Sequence, residues 1–171
     1  IDCGECTITC PEEAISRVNS FFIDRNFCTL CFKCVDVCPS KAMTRKGLEM
    51  SVEEIVTKVV KYKSFFDRSG GGVTLSGGEP TLPIEFTSAL LKRFKEEGIH
   101  TLLETAGMFD FEKFEELLLP YVDMIYYDIK FIDSLEHKRY CGVTNERILN
   151  NFLQLNDKSQ SEGFVLLPRT P

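Results

Sequence analysis

Gly71-Gly72-Val73-Thr74-Leu75-Ser76-Gly77-Gly78-Glu79-Pro80 carries a glycine loop, a short apolar run and a polar turn in succession. Val73-Thr74-Leu75 reads as a short buried strand. The segment that follows, Pro83 to Glu97, has a proline suited to a first helical turn and Gly98 as its stop, which predicts a helix. A strand leading through a Gly-Gly turn into a helix is half of a βαβ unit, and the alternation recurs on both sides. Upstream, Ser51-Val52-Glu53-Glu54 reads as a capping box. Val52, Ile55, Val56, Val59 and Val60 then keep helical spacing, predicting a helix to about Phe66. Downstream, the pattern predicts a strand over Ile99–Leu103, a helix over Asp110–Leu119 and a strand over Val122–Ile129. A helix over Glu146–Leu155 and a strand over Phe164–Leu167 complete it. Strands alternating with helices specify an α/β protein with a parallel sheet. Four such strands in about 120 residues amount to half of a (β/α)8 barrel, which needs roughly 250.

The first 45 residues have another texture. Cys28, Cys31, Cys34 and Cys38-Pro39 form C-x2-C-x2-C-x3-C-P, the bacterial ferredoxin spacing for iron–sulfur clusters. Cys3, Cys6 and Cys10-Pro11 repeat it 28 positions earlier without a leading Cys. The register predicts a Cys directly before Ile1, and with no initial Met the chain reads as part of a longer protein. By the rule that the fourth Cys crosses to the other cluster, Cys28, Cys31, Cys34 and Cys10 hold one [4Fe–4S] cluster. Cys3, Cys6 and Cys38 then hold a second, short of one ligand. Structural zinc is the alternative, but zinc sites pair C-x2–4-C with a distant pair and not triplets with C-P tails. Between the runs, Phe21-Phe22-Ile23 is expected to form a short strand over the clusters. The division is therefore residues 1–45, a two-cluster ferredoxin-like insert, and 46–171, a partial barrel.

The totals exclude several classes. A net charge of −6 and a pI near 5.1 argue against nucleic acid and anionic membrane as partners. No apolar run approaches the roughly 20 residues that span a bilayer. Seven of eight cysteines sit at ligand spacing, which suggests metal ligation in a reducing compartment, with cytoplasm as the default. Cys141 fits no motif and is expected to be a helix-end thiol beside Tyr140. His100, at the far end of its strand, and His137, in a charged helical turn, are expected on the solvated surface.

Polar residues gather where the predicted strands end. Ser76-Gly77-Gly78-Glu79 follows the first strand, Glu104-Thr105 the second, Asp128 and Lys130 the third, and Arg169 the fourth. In a parallel α/β array these ends form the mouth where chemistry is placed. Adjacent glycines let a ligand approach the backbone, and a carboxylate beside them suits an ammonium group. Alternation puts Tyr126, Asp128 and Lys130 on the barrel-interior face and Ile125, Tyr127 and Ile129 on the helix face. A glycine-rich turn with an exposed Glu, and an Asp–Lys pair bracing the barrel, are the purely structural alternatives. No catalytic triad or P-loop is present.

Gly71 to Pro80, Glu104-Thr105-Ala106-Gly107 and Tyr127-Asp128-Ile129-Lys130 together resemble the radical S-adenosylmethionine enzymes that activate glycyl radical enzymes, in the form that carries a double ferredoxin insert. The resemblance implies a radical enzyme of the partial (β/α) barrel type. In that family a third [4Fe–4S] cluster, on a C-x3-C-x2-C loop, binds S-adenosylmethionine. Its reductive cleavage yields a 5′-deoxyadenosyl radical that takes a hydrogen atom from a glycine of the partner. By position, Gly77, Gly78 and Glu79 would hold the methionyl amino group. Asp128, Ile129 and Lys130 would lie along the cofactor, and Arg169 would approach its carboxylate. Lys130 and Arg169 are the implied catalytic residues. Glu104, Thr105 and Asp128 match a region that can hold a monovalent cation. The implied partners are a glycyl radical enzyme and an electron donor such as flavodoxin or ferredoxin.

No C-x3-C-x2-C occurs in these 171 residues. The expectation is that the radical-cluster loop and the first barrel strand lie upstream, that the chain is cut at both ends, and that it is inactive alone. An unpaired sheet edge would then favour dimerisation or poor solubility. The alternative function is a non-enzymatic iron–sulfur electron-transfer module with a docking domain.

Overall fold

A computed structural model of the chain describes residues 2–170. The Cys expected before Ile1 and the segments expected beyond either end lie outside the described residues. The chain divides into two compact units, Ile1–Glu49 and Met50–Pro171.

In the first unit, α1 (Glu5–Thr9) and α2 (Lys33–Asp36) each follow a cysteine loop. The 28-residue repeat is visible in the backbone itself. Gly4 (φ 78°) and Phe32 (φ 60°) open the two helices in left-handed conformation, and Glu13 (φ 48°) and Lys41 (φ 54°) repeat it nine residues on. Non-glycine residues enter that region rarely, so their recurrence at the same register marks one loop geometry used twice. Phe21-Phe22-Ile23 forms no strand. A single antiparallel bridge, Ile15 to Ile23, stands there instead.

The second unit begins with α3 (Val52–Val60) and α4 (Lys63–Ser69), where the sequence predicts one helix. Ser51 and Glu54 form the capping box as read. The break falls at Lys61-Tyr62. The alternation then runs β1 (Gly72–Leu75), α5 (Ile84–Glu96), β2 (His100–Thr105), α6 (Phe111–Leu117), β3 (Met124–Asp128), α7 (Ser134–Cys141), α8 (Glu146–Ser159) and β4 (Val165–Arg169). The sheet is parallel throughout in the order β1-β2-β3-β4, the topology of a partial (β/α) barrel. Helix α7 exceeds the single turn expected there.

Each strand divides its residues between two faces. Leu103, Ile125 and Tyr127 are fully buried against the helices, with Leu91, Phe114, Leu118 and Leu155 in the same core. Helix α5 contributes Ile84, Thr87, Leu90, Leu91 and Phe94, a stripe at helical spacing. Gly98 (φ 66°) ends it in a Schellman motif: Ile99 N–H bonds Phe94 C=O and Gly98 N–H bonds Lys95 C=O. The opposite face carries Glu104, Tyr126, Asp128 and Arg169, with Asp128 in register with Arg169.

The histidines differ from each other. His100 is exposed at the start of β2, as expected. His137 is 3% exposed and not on the surface. Its Nδ1 lies 2.7 Å from the Val143 carbonyl, and Phe131 stands edge-on to the ring. The charged neighbours that suggested a solvated turn lie on the other faces of α7. Cys141 is exposed at its end.

Tyr127 ties the sheet to α8, its hydroxyl donating to Ile148 C=O at 2.7 Å. Burial pushes its phenol well above the ordinary value, with the Glu79 charge adding to the effect. The neutral phenol therefore stabilises the fold fully below about pH 10, and that contribution is lost as pH rises above it. Tyr127→Phe is expected to cost about 1 kcal/mol at neutral pH and to lose less stability than the parent under alkaline conditions, measured by urea unfolding across that range.

Candidate functional site

The turn between β1 and α5 is built around an inward carboxylate. One Glu79 oxygen accepts from Thr81 N–H at 3.2 Å, Thr81 Oγ1 at 2.8 Å and Thr105 Oγ1 at 2.9 Å. The other accepts from Ala106 N–H at 2.8 Å. Thr105 Oγ1 in turn accepts from Gly107 N–H at 3.0 Å. Gly107 has φ 81°, and a β-carbon there would run into the Tyr127 hydroxyl, so only glycine fits. The Glu79 carboxylate thus fastens the turn to the end of β2. The adjacent Gly77 (φ 110°) and Gly78 are exposed, with open space beside both.

Beside this turn, the ends of β2, β3 and β4 bring four charges together. Arg169 Nη1 reaches Glu104 at 2.6 Å, and Arg169 Nε lies 3.5 Å from Asp128. Lys130 Nζ pairs with Asp128 at 2.9 Å. Ser76 Oγ donates to Glu104 at 2.5 Å, and the Arg169 guanidinium sits 5.2 Å above the Tyr126 ring. The Ser76 and Arg169 hydrogen bonds hold the Glu104 carboxyl below its usual range. These side chains are 27–49% exposed. Ion pairs of that exposure contribute roughly 0–1 kcal/mol each, so fold stability is a weak reason to gather them.

The structure therefore brings together Glu104, Asp128, Lys130 and Arg169 and adds Ser76 and Tyr126. Alternation already placed Tyr126 on this face. Ser76 carried no signal beyond its place in the turn. Two expected residues are turned away. The Ile129 side chain is buried in the core, leaving only its backbone near the mouth, where its N–H bonds Arg169 C=O at 2.8 Å. Thr105 is buried on the helix side with its hydroxyl on Glu79. Its hydroxyl therefore does not face Glu104 and Asp128, because odd positions of β2 point to the helices.

In the first unit, Cys10, Cys28, Cys31 and Cys34 line one cavity of about 80 Å3, walled by Ile15, Ile23, Leu30, Phe32 and Val35. Cys3, Cys6 and Cys38 line another of about 130 Å3 with Asp2 and Arg17, which pair with each other. Burial raises the Cys34 thiol, while the Met43 N–H and the Ser40 hydroxyl lower that of Cys38. Among the described residues, no three His, Cys, Asp or Glu side chains converge tightly enough for a single ion. The thiols surround a space instead, and an all-thiolate set in an apolar wall fits an iron–sulfur cluster.

The signature of the Radical SAM superfamily matches residues 25–168. The chain belongs to the Radical SAM superfamily. This radical SAM chain is 41% identical, across 93% of its length and 51% of the relative's, to the (2S)-3-sulfopropanediol dehydratase activating enzyme of Klebsiella oxytoca. It is 37% identical to the isethionate sulfite-lyase activating enzyme of Nitratidesulfovibrio vulgaris, over 99% of itself and 55% of that protein. The crystal structure of a domain of the pyruvate-formate lyase-activating enzyme from Bacteroides vulgatus superposes with a TM-score of 0.53 and 34% identity. That match covers 60% of each chain. The radical SAM chain spans about half the length of the curated relatives it matches. No helix among its described residues is long and apolar enough to cross a membrane.

The lowered Glu104 carboxyl sets a pH dependence. A depressed native value contributes stability above the ordinary carboxylate value of about 4.3, and the contribution is lost as pH falls through the lower native value. Glu104→Gln should flatten the acid limb of the unfolding free energy relative to the parent. Urea titrations at successive acidic pH values measure this.

Proposed function

We propose that the mouth of the sheet binds S-adenosylmethionine by its methionyl end and that the full-length protein activates a glycyl radical enzyme. One observation carries this: two carboxylates and two cations from three parallel strands meet beside the exposed Gly77-Gly78 turn. The set matches a zwitterion, which needs acceptors for an ammonium group and donors for a carboxylate. Gly77 and Gly78 offer backbone carbonyls without a side chain in the way. Glu104 and Asp128 face the ammonium group, and Lys130 and Arg169 face the carboxylate. Glu79 holds the turn in place. The binding residues are inferred from this geometry, and the similarity to activating enzymes supports the reaction class.

The cysteine cavities suit two [4Fe–4S] clusters, one held by Cys10, Cys28, Cys31 and Cys34 and the other including Cys3, Cys6 and Cys38. When bound, the two clusters would relay single electrons toward the S-adenosylmethionine-binding cluster of the full-length protein, and one-electron reduction of S-adenosylmethionine there would supply the 5′-deoxyadenosyl radical for hydrogen abstraction from a partner's glycine. The chain's own residues orient the methionyl group and keep its charges compensated. An electron donor such as flavodoxin or ferredoxin would supply the first unit.

The full-length protein, reconstituted anaerobically and given a strong reductant, should convert S-adenosylmethionine to 5′-deoxyadenosine. Asp128→Ala should lower the affinity measured by calorimetry by about tenfold, the equivalent of one charge-assisted hydrogen bond. Clusters that cycle by one electron without S-adenosylmethionine binding would instead establish an electron-transfer module. Cys31→Ala, which breaks the complete ligand set, should remove about four irons per chain on elemental analysis, one [4Fe–4S] cluster.

A further inference from the structure

Two asparagines of α8 and its N-cap are 2% exposed. Asn151 Nδ2 donates to the carbonyl oxygens of Gly107 and Phe109, each at 2.9 Å. Asn145 Nδ2 donates to those of Phe131 and Ile132, each at 2.8 Å. Each amide thus brackets two carbonyls of one loop. The first loop leaves β2 just after Glu104 and Thr105. The second leaves β3 just after Asp128 and Lys130. The inner face of α8 is otherwise apolar, with Ile148 and Leu155 in the core.

The physical need is clear. Loop carbonyls that leave the sheet ladder in buried positions (Gly107, Phe109) or partly buried ones (Phe131, Ile132) need other donors, since the ladder no longer supplies them. A carboxamide is the uncharged side chain that presents two N–H groups from one nitrogen, so a single residue satisfies two carbonyls. Holding a loop at two points fixes its rotation as well as its distance. The two asparagines are six residues apart on one helix, a separation of about 9 Å along a rigid axis. The spacing between the loops is thereby set by α8.

We infer that Asn145 and Asn151 are positioning residues for the mouth: acting through loop backbone, they fix the separation of the Glu104 side from the Asp128–Lys130 side, and with it the affinity for the methionyl group. This rests on the reading of the mouth as an S-adenosylmethionine site. Neither residue is catalytic.

The test uses the full-length protein, reconstituted anaerobically, with S-adenosylmethionine as the calorimetric probe. Asn145→Asp and Asn151→Asp are nearly isosteric and set an oxygen against each carbonyl pair. Leu155→Ala opens a cavity in the same helix's core face without touching either loop, and serves as the control. Each asparagine variant should weaken binding about tenfold, the loss of roughly one hydrogen bond's differential. Backbone hydrogen exchange without ligand should quicken over 106–110 for Asn151→Asp alone and over 131–133 for Asn145→Asp alone. Leu155→Ala should lower the unfolding midpoint at least as far and leave affinity unchanged. Wild-type affinity in both asparagine variants, or an equal loss in Leu155→Ala, would overturn the inference. If the parent protein itself binds no S-adenosylmethionine, the functional reading fails, and the exchange pattern still decides whether α8 fixes the two loops.

Discussion

The Glu79 carboxylate collects donors from Thr81, Thr105 and Ala106, and through them the turn after β1 is fastened to the end of β2. A partly buried carboxylate tolerates such a position only when its oxygens are filled, because an unpaired charge there would be costly. The chain of contacts continues through the Thr105 hydroxyl to Gly107 N–H, and from the Gly107 carbonyl to Asn151 on α8. Tyr127 crosses beside it to Ile148. The glycine turn, the strand ends and the outer helix are therefore one connected polar seam within an otherwise apolar layer.

That seam separates two kinds of charge. Glu79 lies inside it, saturated by neutral donors of the same unit, and shapes the backbone. Glu104, Asp128, Lys130 and Arg169 lie on the other face of the sheet, half exposed, and satisfy one another through ion pairs that solvent weakens. Pairs of that kind exchange partners easily, since each group keeps access to water. A zwitterion entering beside Gly77 and Gly78 can replace them with little desolvation. A partly buried carboxylate already bonded on both oxygens, such as Glu79, would give up more to do so.

Much of this was legible along the chain. The alternation of short apolar runs with helical stripes gave the parallel sheet, and the glycines and caps at Gly98, Ser51 and Asp110 gave most element ends. Period-two alternation put Tyr126 and Asp128 on one face and Ile125 and Tyr127 on the other. The break at Lys61-Tyr62 was hidden, since valines at helical spacing run straight up to it. His137 was misread because its neighbours in sequence are charged, whereas its ring enters the core between Phe131 and the Val143 carbonyl. Thr105 and Ile129 come to the cofactor site only through the family resemblance, and their strand phase, already readable for Ile129, turns both side chains to the helices.

The sequence by itself determined the two textures of the chain, the thiol spacing that suits clusters, the parallel α/β layout and the strand ends at which polar chemistry gathers. These follow from local periodicity and from spacings of a few residues, which survive in a linear reading. Only the tertiary structure decided which carboxylate braces the turn and which faces the mouth, and that Asn145 and Asn151 hold the loops on which the mouth is built. Those assignments depend chiefly on hydrogen bonds between residues 13 to 65 positions apart, and no local pattern records which distant carbonyl a buried amide will find.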